Sequence, residues 1–284
     1  MHAPMSAALD LPRAAEGSAH ALVARALADG ALDLPVLPRV AHDVMLAAQD
    51  PTRGSAEVAR HIERDPALSA TVLRSANAAI YGGAVEIVSA RQAVARLGTV
   101  EVASLAMTAA VRASVVDDGP YRGELAQWWR ASLTCGLFAK EIARARRHAV
   151  DSAFMCGLLR LLGVPVVLRV LARSNERFDP AEVATVTRAL ATAAGMLLCE
   201  GWNLSGAVRA TVAQGASTDA PPQFAEHVFT AQLGAAMAQA QAAGDLQSAV
   251  APSAQIVALN LYPEDLERIV ATGPIIARSV ESLA

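Results

Sequence analysis

The chain has six histidines, the residue type most often used to bind a metal, but their spacing does not favour that role. His2 and His20 lie in or near an N-terminal stretch that has no sustained periodicity. The other four lie on predicted helices, each without a second His three or four positions away: His42, His61, His148 and His227. A zinc or metalloprotease pattern is therefore absent, and we expect surface or partly buried histidines.

The three cysteines, Cys135, Cys156 and Cys199, are isolated and lack the paired spacing of metal or redox sites. A nucleophilic thiol needs an activating base, and only Glu200, beside Cys199, lies within helical reach of one. We therefore expect thiols packed in the core, although the alternative is that they line a cavity. Such cysteines are typical of a reducing compartment, and we expect a cytoplasmic protein.

Basic and aromatic side chains offer two weaker signals. The run 144–148 is basic, but it ends a predicted helix, where cations complement the helix dipole, so we expect a solvated face. Trp128 and Trp129 point about 100° apart on a helix, so at most one is expected to face fully inward. The other is a candidate for covering a groove or contacting a partner.

Composition indicates a large helical protein. Of the 284 residues, 54% are hydrophobic and only 4% aromatic, which favours packed helices over a β-sandwich or barrel. The formal net charge of −3 gives no electrostatic footprint for nucleic acid. The apolar run 154–171 is interrupted by Arg160, Gly163 and Pro165, and we expect no membrane span and no signal peptide.

Helix caps are densest between residues 62 and 98. Asp65 and Pro66 predict a helix start, and Leu68 opens its apolar face. Ser89 predicts a second helix that ends at Gly98, and Thr99 is expected to cap a third. Further along, we expect a turn at 117–120, a long helix over 123–148, a break at 163–165 and a linker at 216–222.

Several of these residues, together with others along the chain, resemble the HDOD domain, the "HD-related output domain" of bacteria. The resemblance includes the Leu-Pro-Val-Leu-Pro segment at 34–38 and departs from the family at Ala78, where Ser is usual. The family positions it matches are Asp65, Pro66, Leu68, Asn77, Tyr81, Gly98 and Gly163.

HDOD domains are similar to HD-type metal phosphohydrolases, and the resemblance implies where such ligands would stand. Active relatives have His-Asp where this chain has Arg160 and Leu161, and an earlier His ligand corresponds to Ala131. None of these three side chains donates a lone pair to a metal. The resemblance therefore implies a degenerate pocket with no metal and no cofactor.

Together these observations predict an all-α protein. We expect an N-terminal segment and helix over 1–30, an HDOD-like domain over 31–215 and a helical extension over 216–284 packed on it. The resemblance implies a non-catalytic regulatory protein of bacterial signal transduction that binds a protein partner. A nucleotide messenger has no residue pattern to support it, and the alternative function is a divergent metal-dependent phosphohydrolase.

Two residues carry local predictions. Asn77 is expected to bond to backbone in the loop that follows its helix, because an unsatisfied buried amide is costly. Arg160 is expected either to lie in the vacated pocket, bonded to carbonyls or a carboxylate, or to extend to water; periodicity does not decide between them.

Overall fold

In this computed structural model, the described residues are 18–30, 32, 40–41, 43–44, 47, 55–77, 85–115, 119–215, 217 and 219–283. Within them the chain folds entirely as helices and turns, without a β-strand. The all-α fold class predicted from composition and capping is therefore confirmed.

The first half of the chain forms short, well-capped helices. They are α1 (Ala19–Ala28), α2 (Ser55–Glu63), α3 (Pro66–Ala76), α4 (Ala90–Leu97) and α5 (Thr99–Val115). The Asp65 carboxylate accepts hydrogen bonds from two backbone amides of α3, and the Ser89 hydroxyl accepts one from α4. Gly98 ends α4 with φ +87°, a conformation that favours glycine. Thr99, expected as a cap, is instead the first residue of α5.

The second half contains the longest helices. They are α6 (Arg122–Arg146), α7 (Val150–Leu159), α8 (Gly163–Arg173), α9 (Pro180–Gly201), α10 (Gly206–Gln214), α11 (Ala225–Ala242), α12 (Ala254–Ala258), α13 (Pro263–Ala271) and α14 (Gly273–Leu283). The break predicted at 163–165 is confirmed, because Pro165 lies in the first turn of α8, where it removes no helical hydrogen bond.

Two hydrophobic clusters divide the described core. The smaller lobe contains α2, α3, α4 and the first part of α5, with Val58, Ile62 and Val72 fully buried. The larger lobe contains α1 and the helices from α6 onward. α5 joins the lobes, because Leu105 belongs to the smaller cluster and Val111 to the larger one.

The C-terminal helices share the larger core. α11 packs along both α6 and α7, and its Leu233 and Met237 are buried with the side chains of those helices. α1 packs similarly on α8 and α9. The helices after residue 216 are therefore part of the larger lobe.

Glycines allow the central helices to approach closely. A Cβ built on Gly157 of α7 would lie 2.8 Å from the Gly136 Cα of α6, and one on Gly234 of α11 would lie 2.8 Å from the Cys135 carbonyl. A Cβ on Gly163 would lie only 1.7 Å from the Ala191 carbonyl of α9. These contacts hold α6, α7 and α11 together at the place where the cleft forms.

Among the residues that the structure describes, two helical stretches are long and apolar enough to cross a membrane, 150–173 and 180–201. In the fold, 67% of the most apolar window of the first stretch and 39% of that of the second are buried in protein. The first stretch is also divided into α7 and α8. Core helices commonly have this composition, so the two stretches are weak evidence for a membrane protein.

Candidate functional site

The three positions predicted to form a degenerate pocket line one cleft. Ala131 comes from α6, and Arg160 and Leu161 come from the junction between α7 and α8. The opposite walls are provided by α11 and α14, through residues such as Ala238 and Val280. The cleft has a volume of about 610 Å³, which lies in the range of small-molecule sites.

Arg160 connects this cleft to the segment after α10. Its side chain is half-buried, and its Nη2 donates a hydrogen bond to the Gly215 carbonyl over 3.1 Å. The same carbonyl accepts a bond of 3.0 Å from the buried Gln232 side chain of α11, which also donates to the Ser217 carbonyl. Arg160 thus lies at the cleft wall and bonds to a carbonyl. A carbonyl partner is what the first alternative, a side chain lying in the vacated pocket, requires.

Leu161 lies at the edge of the cleft, with 40% of its surface exposed. Its carbonyl accepts a hydrogen bond of 2.8 Å from the Trp128 indole. This bond connects the α7–α8 junction to α6.

The expectation that at most one of the two tryptophans would face fully inward is wrong. Trp128 is 5% exposed and Trp129 only 2%, and their ring centroids lie 6.1 Å apart. The reason is the position of α6, which packs against α7, α11 and α14 and so is covered on more than one side. Neither indole presents a surface to a partner in this conformation.

The residues of the cleft do not fit a catalytic metal. Ala131, Arg160 and Leu161 offer no ligand atom, and within the described part of the chain no three His, Cys, Asp or Glu side chains cluster closely enough to hold an ion. The thiol of Cys135 lines the cleft, but burial raises its pKa to about 12, so it stays protonated at neutral pH.

The other two thiols lie in the core. Cys156 and Cys199 are fully buried, and burial raises the pKa of each to about 11. Cys135 is therefore distinguished from them by its place in the cleft wall, which matches the alternative that one or more cysteines line a cavity.

The basic run and the histidines do not converge on the cleft. Arg144 forms an ion pair with Glu141 on α6, and the His148 imidazole contacts the Glu226 carboxylate of α11. His61 lies 3.8 Å from Glu57 on its own helix. His42 lies outside the described residues.

A buried ion pair that no sequence pattern indicated lies between the lobes. The Lys140 ammonium of α6, whose side chain is 3% exposed, bonds to the Glu101 carboxylate of α5, whose side chain is 13% exposed. The ammonium also lies 5.7 Å from the centre of the Phe154 ring. The available signal was a lysine close to the apolar residues Phe138 and Ile142, where a buried charge needs a partner.

The family-motif residues have structural roles. Asn77 makes the predicted backbone bonds with Ile87, donating to its carbonyl over 2.8 Å and accepting from its amide over 2.9 Å. The asparagine itself is exposed, so the expectation of a buried amide is wrong; the buried partner is Ile87. Leu68 is buried in the smaller lobe, and Pro66 is the first residue of α3. Tyr81 lies outside the described residues.

The family of the chain follows from a sequence comparison. The family model for the HDOD domain matches residues 34–217, a range close to the predicted domain. The chain therefore belongs to the HDOD family. No curated protein matches the sequence.

Solved structures share this fold over nearly the whole chain. A "Putative metal-dependent phosphohydrolase" from Shewanella amazonensis SB2B has a TM-score of 0.72 and 20% identity, covering 94% of this chain and 99% of that one. An HDOD domain protein with unknown function from Geobacter sulfurreducens has a TM-score of 0.68 and 20% identity, covering 93% and 97%. A "Putative signal transduction protein" from Marinobacter aquaeolei VT8 has a TM-score of 0.65 and 20% identity, covering 93% and 65%. At this identity the likeness shows the fold alone.

Proposed function

We propose that this HDOD protein is a non-catalytic, cytoplasmic regulatory protein of bacterial signal transduction that acts by binding a protein partner. The observation that carries the proposal is the cleft at Ala131, Arg160 and Leu161, where the resemblance to HD phosphohydrolases places metal ligands. A fixed guanidinium bonded to a backbone carbonyl stands there instead. A cation at this point opposes the binding of a second cation.

Exposed apolar side chains support a role in protein binding. Val85 and Val88 precede α4 and are 68% and 64% exposed, and Val100, which follows α4, is 42% exposed. Large apolar side chains exposed around one short helix are favourable contact points for a partner. The smaller lobe is thus the proposed binding side, and the larger lobe holds the cleft.

The test is partner capture in the native host with a matched pair of variants. Val85→Asp with Val88→Asp should abolish the enrichment of a partner that the parent protein captures, while leaving the melting temperature unchanged. The control is Val257→Asp, because Val257 is a 76% exposed valine of α12 in the larger lobe. Equal capture by all three proteins would refute binding through the smaller lobe.

A further inference from the structure

The cleft contains buried polar atoms that have no hydrogen-bond partner among the residues that the structure describes. They are the Ser132 hydroxyl, the Arg160 Nε and the Gln241 Oε1, and all three residues line the cleft. Ser132 is only 2% exposed, whereas Arg160 and Gln241 are half-buried residues. Buried polar groups in native proteins are nearly always bonded, and three exceptions around one cavity indicate a site built for a ligand.

The charges around the cleft favour an anion. Arg130 and Arg160 supply two guanidinium groups, against the single carboxylate of Glu281. Arg160 uses Nη2 for the Gly215 carbonyl, which leaves its Nε–H to donate to a ligand. The Ser132 hydroxyl can donate to the same group. A carboxylate accepts such charge-assisted bonds particularly well.

The walls of the cleft favour an aliphatic body. The cleft is also lined by the polar residues Gln127, Thr134 and Gln239, but most of its remaining lining is small or branched aliphatic, including Ala131, Leu161, Ala238 and Val280. Among the described residues that line it, none is aromatic. A nucleobase would therefore find no ring on which to stack, which argues against a nucleotide messenger in this cleft.

We propose that the cleft binds a small aliphatic carboxylic acid. Its carboxylate bonds to the Arg160 Nε and the Ser132 hydroxyl, and its hydrocarbon chain lies between α11 and α14. The Gln241 Oε1 is left for a water molecule or a hydroxyl group of the ligand. This inference rests on the proposed function in one respect, namely that the cleft is free of metal chemistry.

Isothermal titration of the full chain with octanoate tests the proposal, with octanol, inorganic phosphate and cyclic di-GMP as comparison ligands. Octanoate is expected to bind at least about tenfold more tightly than octanol, because the charged head supplies bonds that the alcohol cannot. Equal binding of octanoate and octanol, no binding of octanoate, or tighter binding of phosphate or cyclic di-GMP would each overturn the proposal.

Ser132→Ala gives the sharpest variant. It removes an unpartnered buried hydroxyl, so the protein should melt at the same or a higher temperature while octanoate binding weakens several-fold. The control is Ser104→Ala, because Ser104 is also a buried helical serine but donates to the Val100 carbonyl in the smaller lobe. Octanoate binding unchanged by Ser132→Ala, or weakened equally by both variants, would contradict the assignment.

Arg160→Met tests the cation. It should weaken octanoate binding by about tenfold or more, whereas Arg169→Met should not. Arg169 is the matched control, because it is also half-buried and its Nη2 donates to a backbone carbonyl, that of Ser114. Equal affinities in the two variants would overturn the role of Arg160. Bound metal found by elemental analysis would instead refute the proposed function, whatever the octanoate titration shows.

Discussion

Gly163→Ala should be strongly destabilising, because the added methyl group would meet backbone atoms of α9. The new Cβ would lie 1.7 Å from the Ala191 carbonyl oxygen and 2.5 Å from the Gly195 amide nitrogen. Backbone cannot rotate away as a side chain can, so α8 and α9 must separate by about 1.5 Å or more to reach ordinary contact. Overpacking of a core costs about 1–3 kcal/mol, and a clash with backbone belongs at or above the upper end.

Thermal and urea unfolding followed by circular dichroism measure this effect. About 3 kcal/mol corresponds to a melting temperature lower by about 6–12 °C in a protein of this size. Gly123→Ala is the control, because Gly123 lies in the first turn of α6 with no atom within 4 Å of the new Cβ. That variant should be neutral or gain up to about 1 kcal/mol. If Gly163→Ala has the same melting temperature as the parent protein, the close contact between Gly163 of α8 and the Ala191 carbonyl of α9 is refuted.

Four further predictions concern stability and thiol reactivity. Asn77→Leu should lower stability by about 1–2 kcal/mol in urea unfolding, because both backbone groups of Ile87 lose their partner; an unchanged midpoint would contradict this. Lys140→Met should lower the free energy of unfolding by about 3–5 kcal/mol, because it leaves the Glu101 carboxylate buried without this cation. Adding Glu101→Gln should restore part of that stability, and no recovery in the double variant would argue against the ion pair. The Cys135 thiol, with its pKa raised to about 12, should react with a thiol reagent at pH 8 far more slowly in the native than in the unfolded protein. Burial raises the thiol pKa values, so the folded state binds these protons more tightly than the unfolded state does. The free energy of unfolding should therefore fall as the pH rises from about 9 toward 11.

Local features of the fold were predictable from the sequence because they depend on neighbouring residues. Asp65, Ser89 and Gly98 define helix ends through bonds and backbone angles within a few positions. The all-α class and the break before α8 follow from composition and from proline. The placement of Ala131, Arg160 and Leu161 together needed more, namely the resemblance to a family whose fold brings these positions to one cleft.

Features that depend on how helices pack were not predictable from periodicity. Trp128 and Trp129 are both buried because α6 is covered on several sides, whereas an amphipathic pattern assumes one buried face. The Lys140–Glu101 pair joins residues 39 positions apart, and nothing in the spacing connects them. Gly163 matched a family motif, but only the fold shows that the Ala191 carbonyl is the reason for glycine.

The most direct test of a non-catalytic role is elemental analysis combined with a hydrolase assay on the full chain. The protein should be purified without added metal and analysed for Fe, Mn and Zn, then assayed with added Mn²⁺ on bis(p-nitrophenyl) phosphate. We expect metal far below one ion per chain and a hydrolysis rate equal to that without protein. Near-stoichiometric metal together with metal-dependent hydrolysis would contradict it and establish a divergent phosphohydrolase.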